Sequence, residues 1–180
     1  MTPCPHIISS SAKAIDRLRL KPPKSASGFV DGAWWPRSDD LMAEVPALAV
    51  ALADRIGPVW RVAFPLASWA RTARRMIFEG RLVRLEGFSS QNPHLVHVTG
   101  GTMCRVTLLV IPPKAGTAAA EEALATAAGQ NNAASPEAIL IESGLLPSAW
   151  VPVSRNGDVA RRESDAGGRR SLGPAPTPTA

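Results

Sequence analysis

Hydrophobic and polar residues alternate over several short stretches of the chain, and each such stretch reads as a strand with one buried face. In RLRLKP, residues 17–22, Leu18 and Leu20 fall on one side while Arg17, Arg19 and Lys21 fall on the other. FVDGAWW, residues 29–35, is a second strand, ended by Pro36. VWRVAFPL, residues 59–66, alternates most cleanly: the pattern predicts Trp60, Val62, Phe64 and Leu66 on the core face, with Arg61 and Ala63 opposite. Residues 74–88 read as two strands joined near Glu79-Gly80, the second directing Val83 and Leu85 inward and Arg84 and Glu86 outward. HLVHVTG alternates again, and CRVTLLVIPP is a continuous apolar run expected of a central strand covered on much of both faces.

Between these strands the period changes to that of a helix. Leu41, Val45, Leu48, Leu52 and Ile56 line one stripe, Gly57-Pro58 stops it, and Ser38 or Asp40 caps its start, with Asp39 and Asp40 near the positive end of the dipole. Pro46 requires either a short first turn ending near Glu44 or a kink. Residues 116–128 are strong helix formers with Thr117 as a cap, and SPEAILIESG forms a further short helix. Short Gly-containing turns between successive strands imply antiparallel pairing. The expected fold is therefore α+β: an antiparallel sheet of about six strands carrying one long amphipathic helix and a second, Ala-rich helix packed on it.

Composition sets the limits of this domain. Of the 180 residues 17 are proline, gathered near the ends, so the folded part is shorter than the chain. A flexible leader is expected over 1–14, a single domain over 15–130, a short helical or irregular extension over 131–153, and a disordered tail over 154–180. Cys4 and Cys104 stand in unrelated settings and make no disulfide framework. The leader has no cationic start and no apolar block, so neither secretion nor membrane insertion is expected, leaving the cytoplasm.

The net charge of +5 is unevenly placed. Arg55, Arg61, Arg71, Arg74, Arg75, Arg81 and Arg84 face a single acid, Glu79, within their span. An excess of this kind points to an anionic partner or to a solvated sheet face.

The segments RLRLKPP, VDGAWWPRSDDL, DRIGPVWRV, ARRMIFEGRLVRLEGF and TLLVIPP, in that order over residues 17–113, resemble a family of small actinobacterial proteins of unknown function. The resemblance implies no activity, ligand or site.

Candidate chemistry is sparse. His94 and His97 form an H-x-x-H pair, but on a strand the two rings point to opposite faces, so no metal site is expected. Asp39, Asp40 and Glu44 suit helix capping better than acid-base work, and Ser38, Ser68 and Ser89 lack a G-x-S-x-G setting. Cys104, ahead of an apolar strand, is expected to be inert.

One sheet face collects Arg17, Arg19, Lys21, Arg61 and Arg84, with Arg71, Arg74 and Arg75 near its turns. Trp60 and Phe64 alternate with Arg61 and so cannot stack on a ligand lying over that face, which counts against nucleic acid. A pocket between helix and sheet would be lined by some of Trp34, Trp35, Trp60 and Trp69, with Arg37 anchoring a carboxylate or phosphate. Adjacent strand residues point oppositely, so Trp34 and Trp35 must serve different faces.

The expected function is that of a non-catalytic soluble binding domain for a protein partner or a small anionic or apolar ligand, without cofactor, metal or membrane. Its ligand residues would be Trp34, Trp35, Arg37, Asp31 and His97. One alternative is nucleic-acid or phosphate binding through Arg61, Arg74, Arg75 and Arg84. The other is an unrecognised enzyme with chemistry near Asp31, Arg37 and His97.

Overall fold

In the computed structural model the alternating stretches become seven strands: β1 (Leu18–Leu20), β2 (Gly32–Trp34), β3 (Val59–Pro65), β4 (Arg75–Phe78), β5 (Arg81–Phe88), β6 (Leu95–Gly100) and β7 (Arg105–Val110). Three helices accompany them: α1 (Leu41–Ile56), α2 (Thr117–Ala127) and α3 (Pro136–Glu142). The structure describes residues 16–148 apart from 24, 26, 27, 102 and 103. The leader with Cys4 and the tail from Ser154 lie outside the described residues.

The fold is α+β, with all seven strands in one sheet of order β1-β2-β7-β6-β3-β5-β4. It is mixed, not antiparallel as expected: β2 pairs parallel with β7, and β3 parallel with β5. Period-two patterning determines which face a residue takes but not which strand lies beside it. Here α1 carries the chain from β2 to the far half of the sheet, and β7 returns to lie beside β2. The β4–β5 hairpin closes on Glu79 and Gly80, both at positive φ (49° and 71°), the backbone a two-residue type I′ turn needs.

The handover from β2 to α1 is built as the acids suggested. Asp40 is the N-cap, its carboxylate accepting the Met42 N–H at 3.0 Å and the Ala43 N–H at 3.4 Å. Ser38 Oγ donates to Glu44 Oε1 at 2.9 Å. Pro46 sits inside one continuous helix, whose first turn it follows, so a single helical N–H is forgone. At α2 the cap is Gly116, not Thr117, which is the first helical residue.

Two cores lie on opposite faces. Leu41, Val45, Leu48, Leu52 and Ile56 of α1 pack with Trp34, Val62, Phe64, Val83, Leu85, Val96, Val98, Val106 and Leu108. On the other face Val30, Ala33, Trp35, Leu109 and Ile111 pack under Ala120, Ala123, Leu124 and Ala127 of α2 and Ile139 and Leu140 of α3. Trp34 and Trp35 do serve different faces. Trp34 stacks on Trp69 with centroids 5.5 Å apart, and Trp35 lies beneath the Arg17 guanidinium at 3.9 Å.

The second layer delimits the candidate surface, because among the described residues α2 packs on β1 and β2 with α3 beside it, and no helix lies over this face of the β3-β5-β4 end. The basic face therefore excludes β1 and its flank. Arg17 is engaged on Trp35, and Lys21 is buried, donating to the Asn132 carbonyl at 2.6 Å. Two residues of 59–66 also depart from the expected parity. A register shift between Val59 and Arg61 takes Trp60 out of the α1-side core; it is half-buried, and its indole N–H donates to the Gly100 carbonyl at 2.9 Å. Leu66 has left the strand for a 3₁₀ turn and is exposed.

Candidate functional site on the uncovered half-sheet

Side chains buried against α1 identify, by alternation, those on the other face of the same strands. Because Val83, Leu85, Val62, Val98 and Val106 face α1, the residues Arg84, Arg61, Thr99 and Arg105 face away from it. Their registers align: Arg75 pairs with Arg84, Arg84 with Arg61, Arg61 with Thr99, and Thr99 with Arg105. The result is a row of four arginines and a threonine crossing five strands. At about 4.8 Å between strands it spans roughly 19 Å.

A second row lies beside it. Glu86, Ala63, His97 and Thr107 are in register, and Asp31 closes the row, its backbone N–H donating to the Thr107 carbonyl at 2.8 Å. The Asp31 carboxylate accepts the Thr107 backbone N–H at 2.8 Å, and Thr107 Oγ1 lies 3.1 Å from His97 Nδ1. Beyond this row come Phe88, Pro65, Leu95 and Leu109, the last two under the α2–α3 layer. On the opposite flank of the arginine row, Ile77 pairs with Leu82. Ile77, Leu82 and Phe88 are all exposed, so apolar groups border the basic row on both sides.

Electrostatically the row is underneutralised. Arg61 places both Nε and Nη2 on Glu86 Oε2, at 2.8 and 2.6 Å. Both side chains are more than a third exposed, so this pair contributes less than about 1 kcal/mol. Among the described residues Arg75, Arg84 and Arg105 have no ion pair. Arg74, Arg75 and Arg84 together border an open groove of about 550 Å³, whose floor is the Glu86–Phe88 segment of β5 beyond the reach of β4.

His97 has its pKa lowered from the ordinary imidazole value, first by burial, then by the charges of Arg105 and Arg61, with Asp31 opposing. His94 is lowered chiefly by burial, against the influence of Glu137. A histidine whose folded pKa is depressed is protonated more readily in the unfolded chain. Its contribution to stability is complete above about pH 6.5 and is lost as pH falls below that value. Urea unfolding should thus show stability declining from neutral pH toward about pH 5, with a shallower decline in His97→Asn. An identical decline in the variant would contradict this assignment.

The expected ligand set is divided by the structure. Asp31 and His97 come together on the uncovered face through Thr107. Trp34, Trp35 and Arg37 meet elsewhere, around a cavity of about 20 Å³ also bordered by Arg17 and Leu48. That volume accommodates about one water and no metabolite, and neither Asp31 nor His97 lines it. Of the anion set, Arg61, Arg75 and Arg84 share the row, while Arg74 lines the groove beside it. Sequence reading missed Arg105, Thr107 and Phe88. Arg105 and Thr107 were submerged in an apolar run whose alternation was still present. Phe88 has the same parity as Arg84 and Glu86.

Among the described residues no cluster of three or more His, Cys, Asp or Glu is placed to hold a metal ion, and no helix is long and apolar enough to cross a membrane. Cys104 is exposed at the start of the β7 segment.

Comparison with curated proteins and with solved structures returned no significant match. A family model does match residues 17–127, more than half of the chain, and it takes in all seven strands together with α1 and α2. The chain belongs to this family of unknown function, DUF5994.

Proposed function

We propose that the chain is a binding domain that takes an anionic ligand on the uncovered half of its sheet. The observation that carries this reading is the register of Arg75, Arg84 and Arg61 on adjacent strands, continued through Thr99 to Arg105, with Glu86 the one carboxylate in ion-pair contact among the described residues. Like charges placed directly opposite on neighbouring strands disfavour the sheet. Such a row is a standing electrostatic cost that a bound anion relieves.

Binding is favoured over nucleophilic catalysis by the wiring of the second row. A threonine, a histidine and an aspartate are adjacent, but Asp31 accepts from the Thr107 amide and makes no hydrogen bond to His97 among the described residues. The histidine is therefore not oriented by the carboxylate as a general base requires.

Tripolyphosphate tests the reading. Added at about 50 mM salt it should raise the melting temperature through linkage, with the rise much reduced at about 200 mM. Arg75→Gln should weaken the response without lowering the melting temperature of the free protein, since it relieves the repulsion with Arg84. A melting temperature indifferent to tripolyphosphate at low salt would contradict the proposal.

A further inference from the structure

We infer that the anion this face takes is a single-stranded nucleic acid, laid across the strands along the arginine row. The inference rests on the anion-binding reading above and narrows it. Three features select the ligand class.

The first is shape. The arginines are distributed over roughly 19 Å of sheet, and the groove that Arg74, Arg75 and Arg84 border is open and does not gather their donors around one small anion. A repeated backbone charge matches a linear array of guanidinium groups better than a single phosphate does.

The second is the apolar border. Phe88, 41% exposed, stands on the same face as Arg84, four residues further along β5 and beyond Glu86, and Ile77 and Leu82 line the opposite flank. An acidic peptide would satisfy the arginines but has no use for an exposed ring. Bases have π-faces that stack on Phe88 while their phosphates meet the guanidinium groups.

The third is strandedness. A duplex keeps its bases stacked on each other and offers a flat, uncovered sheet only its phosphates. A single strand presents base faces and backbone together.

Parity had argued against nucleic acid, on the ground that Trp60 and Phe64 point to the core. Phe64 does point there, but Phe88 does not, and the bulge at Val59–Arg61 removes Trp60 from the core as well.

Fluorescence anisotropy with a labelled oligothymidylate of about twelve nucleotides, within the footprint of one sheet-based module, tests the inference. Affinity should fall between about 50 and about 200 mM salt with a slope near −0.7 per arginine engaged, roughly −3 for the full row. Phe88→Ala should weaken binding about tenfold at fixed salt and leave the slope unchanged, whereas Phe88→Trp should retain it. A duplex of equal length and polyglutamate of matched charge are the comparison ligands. If either binds as tightly as the single strand, or if Phe88→Ala has no effect while its melting temperature is unaltered, the nucleic-acid inference is overturned and the anion-binding face stands. If no polyanion binds, both fail.

Discussion

Alanine at Gly100 is expected to cost the fold about 3 kcal/mol, near the top of the range for overpacking. Gly100 ends β6 opposite Val59, and a methyl group there would overlap the carbonyl carbon and oxygen of Ile56, the last residue of α1. Ile56 is fully buried and Gly100 is itself hydrogen-bonded through its carbonyl to Trp60, so backbone meets backbone and neither side has a free direction to move. The end of α1 would have to lift from the sheet, loosening the core at Val59. That loss is a large part of the roughly 5–15 kcal/mol that holds a domain together. Gly116→Ala is the control: its added methyl meets nothing, its backbone suits alanine, and it should cost less than about 1 kcal/mol as a weaker helix cap. Urea midpoints of the two variants check the pair, and similar midpoints would contradict the close approach of α1 and β6.

Arg84→Glu is expected to weaken anion binding by roughly a hundredfold, because opposing a like charge at a contact costs several kcal/mol. Arg84 is the middle arginine, flanked in register by Arg75 on β4 and Arg61 on β5's other neighbour, β3. The introduced carboxylate would withdraw one positive charge, repel the ligand, and offer both neighbouring guanidinium groups an internal partner. The fold should not suffer, since three arginines in register become an alternating set. Tripolyphosphate titration by calorimetry, with urea unfolding alongside, separates the two effects. Undiminished binding in a normally folded variant would place the anion elsewhere.

Much of this arrangement was legible in the residues. The step of Leu41, Val45, Leu48, Leu52 and Ile56 specified α1 and its buried stripe, and the acids after Pro36 specified its cap. Alternation alone required Trp34 and Trp35 to part, as they do.

What parity could not convey was the partner of each strand. The parallel pairs β2–β7 and β3–β5 join segments far apart in the chain, and these pairings bring Arg84 beside Arg61 and Asp31 beside Thr107. Nor could parity anticipate a bulge at Trp60, which inserts one residue and reverses the faces on one side of it. The extent of the basic face depended on a third element, since α2 is mostly alanine and α3 is seven residues long. Their combined cover buries Lys21 and Trp35 and leaves the arginine row open.

Chemical-shift mapping of backbone amides during a tripolyphosphate titration tests the location of the site most directly. The amides of Arg61, Arg75, Arg84, His97, Thr99 and Arg105 should move together and saturate at one ligand concentration. If those amides stay fixed while Trp34, Arg37 and the first turns of α1 respond, the anion binds on the other side of the sheet and the uncovered half-sheet is not the site.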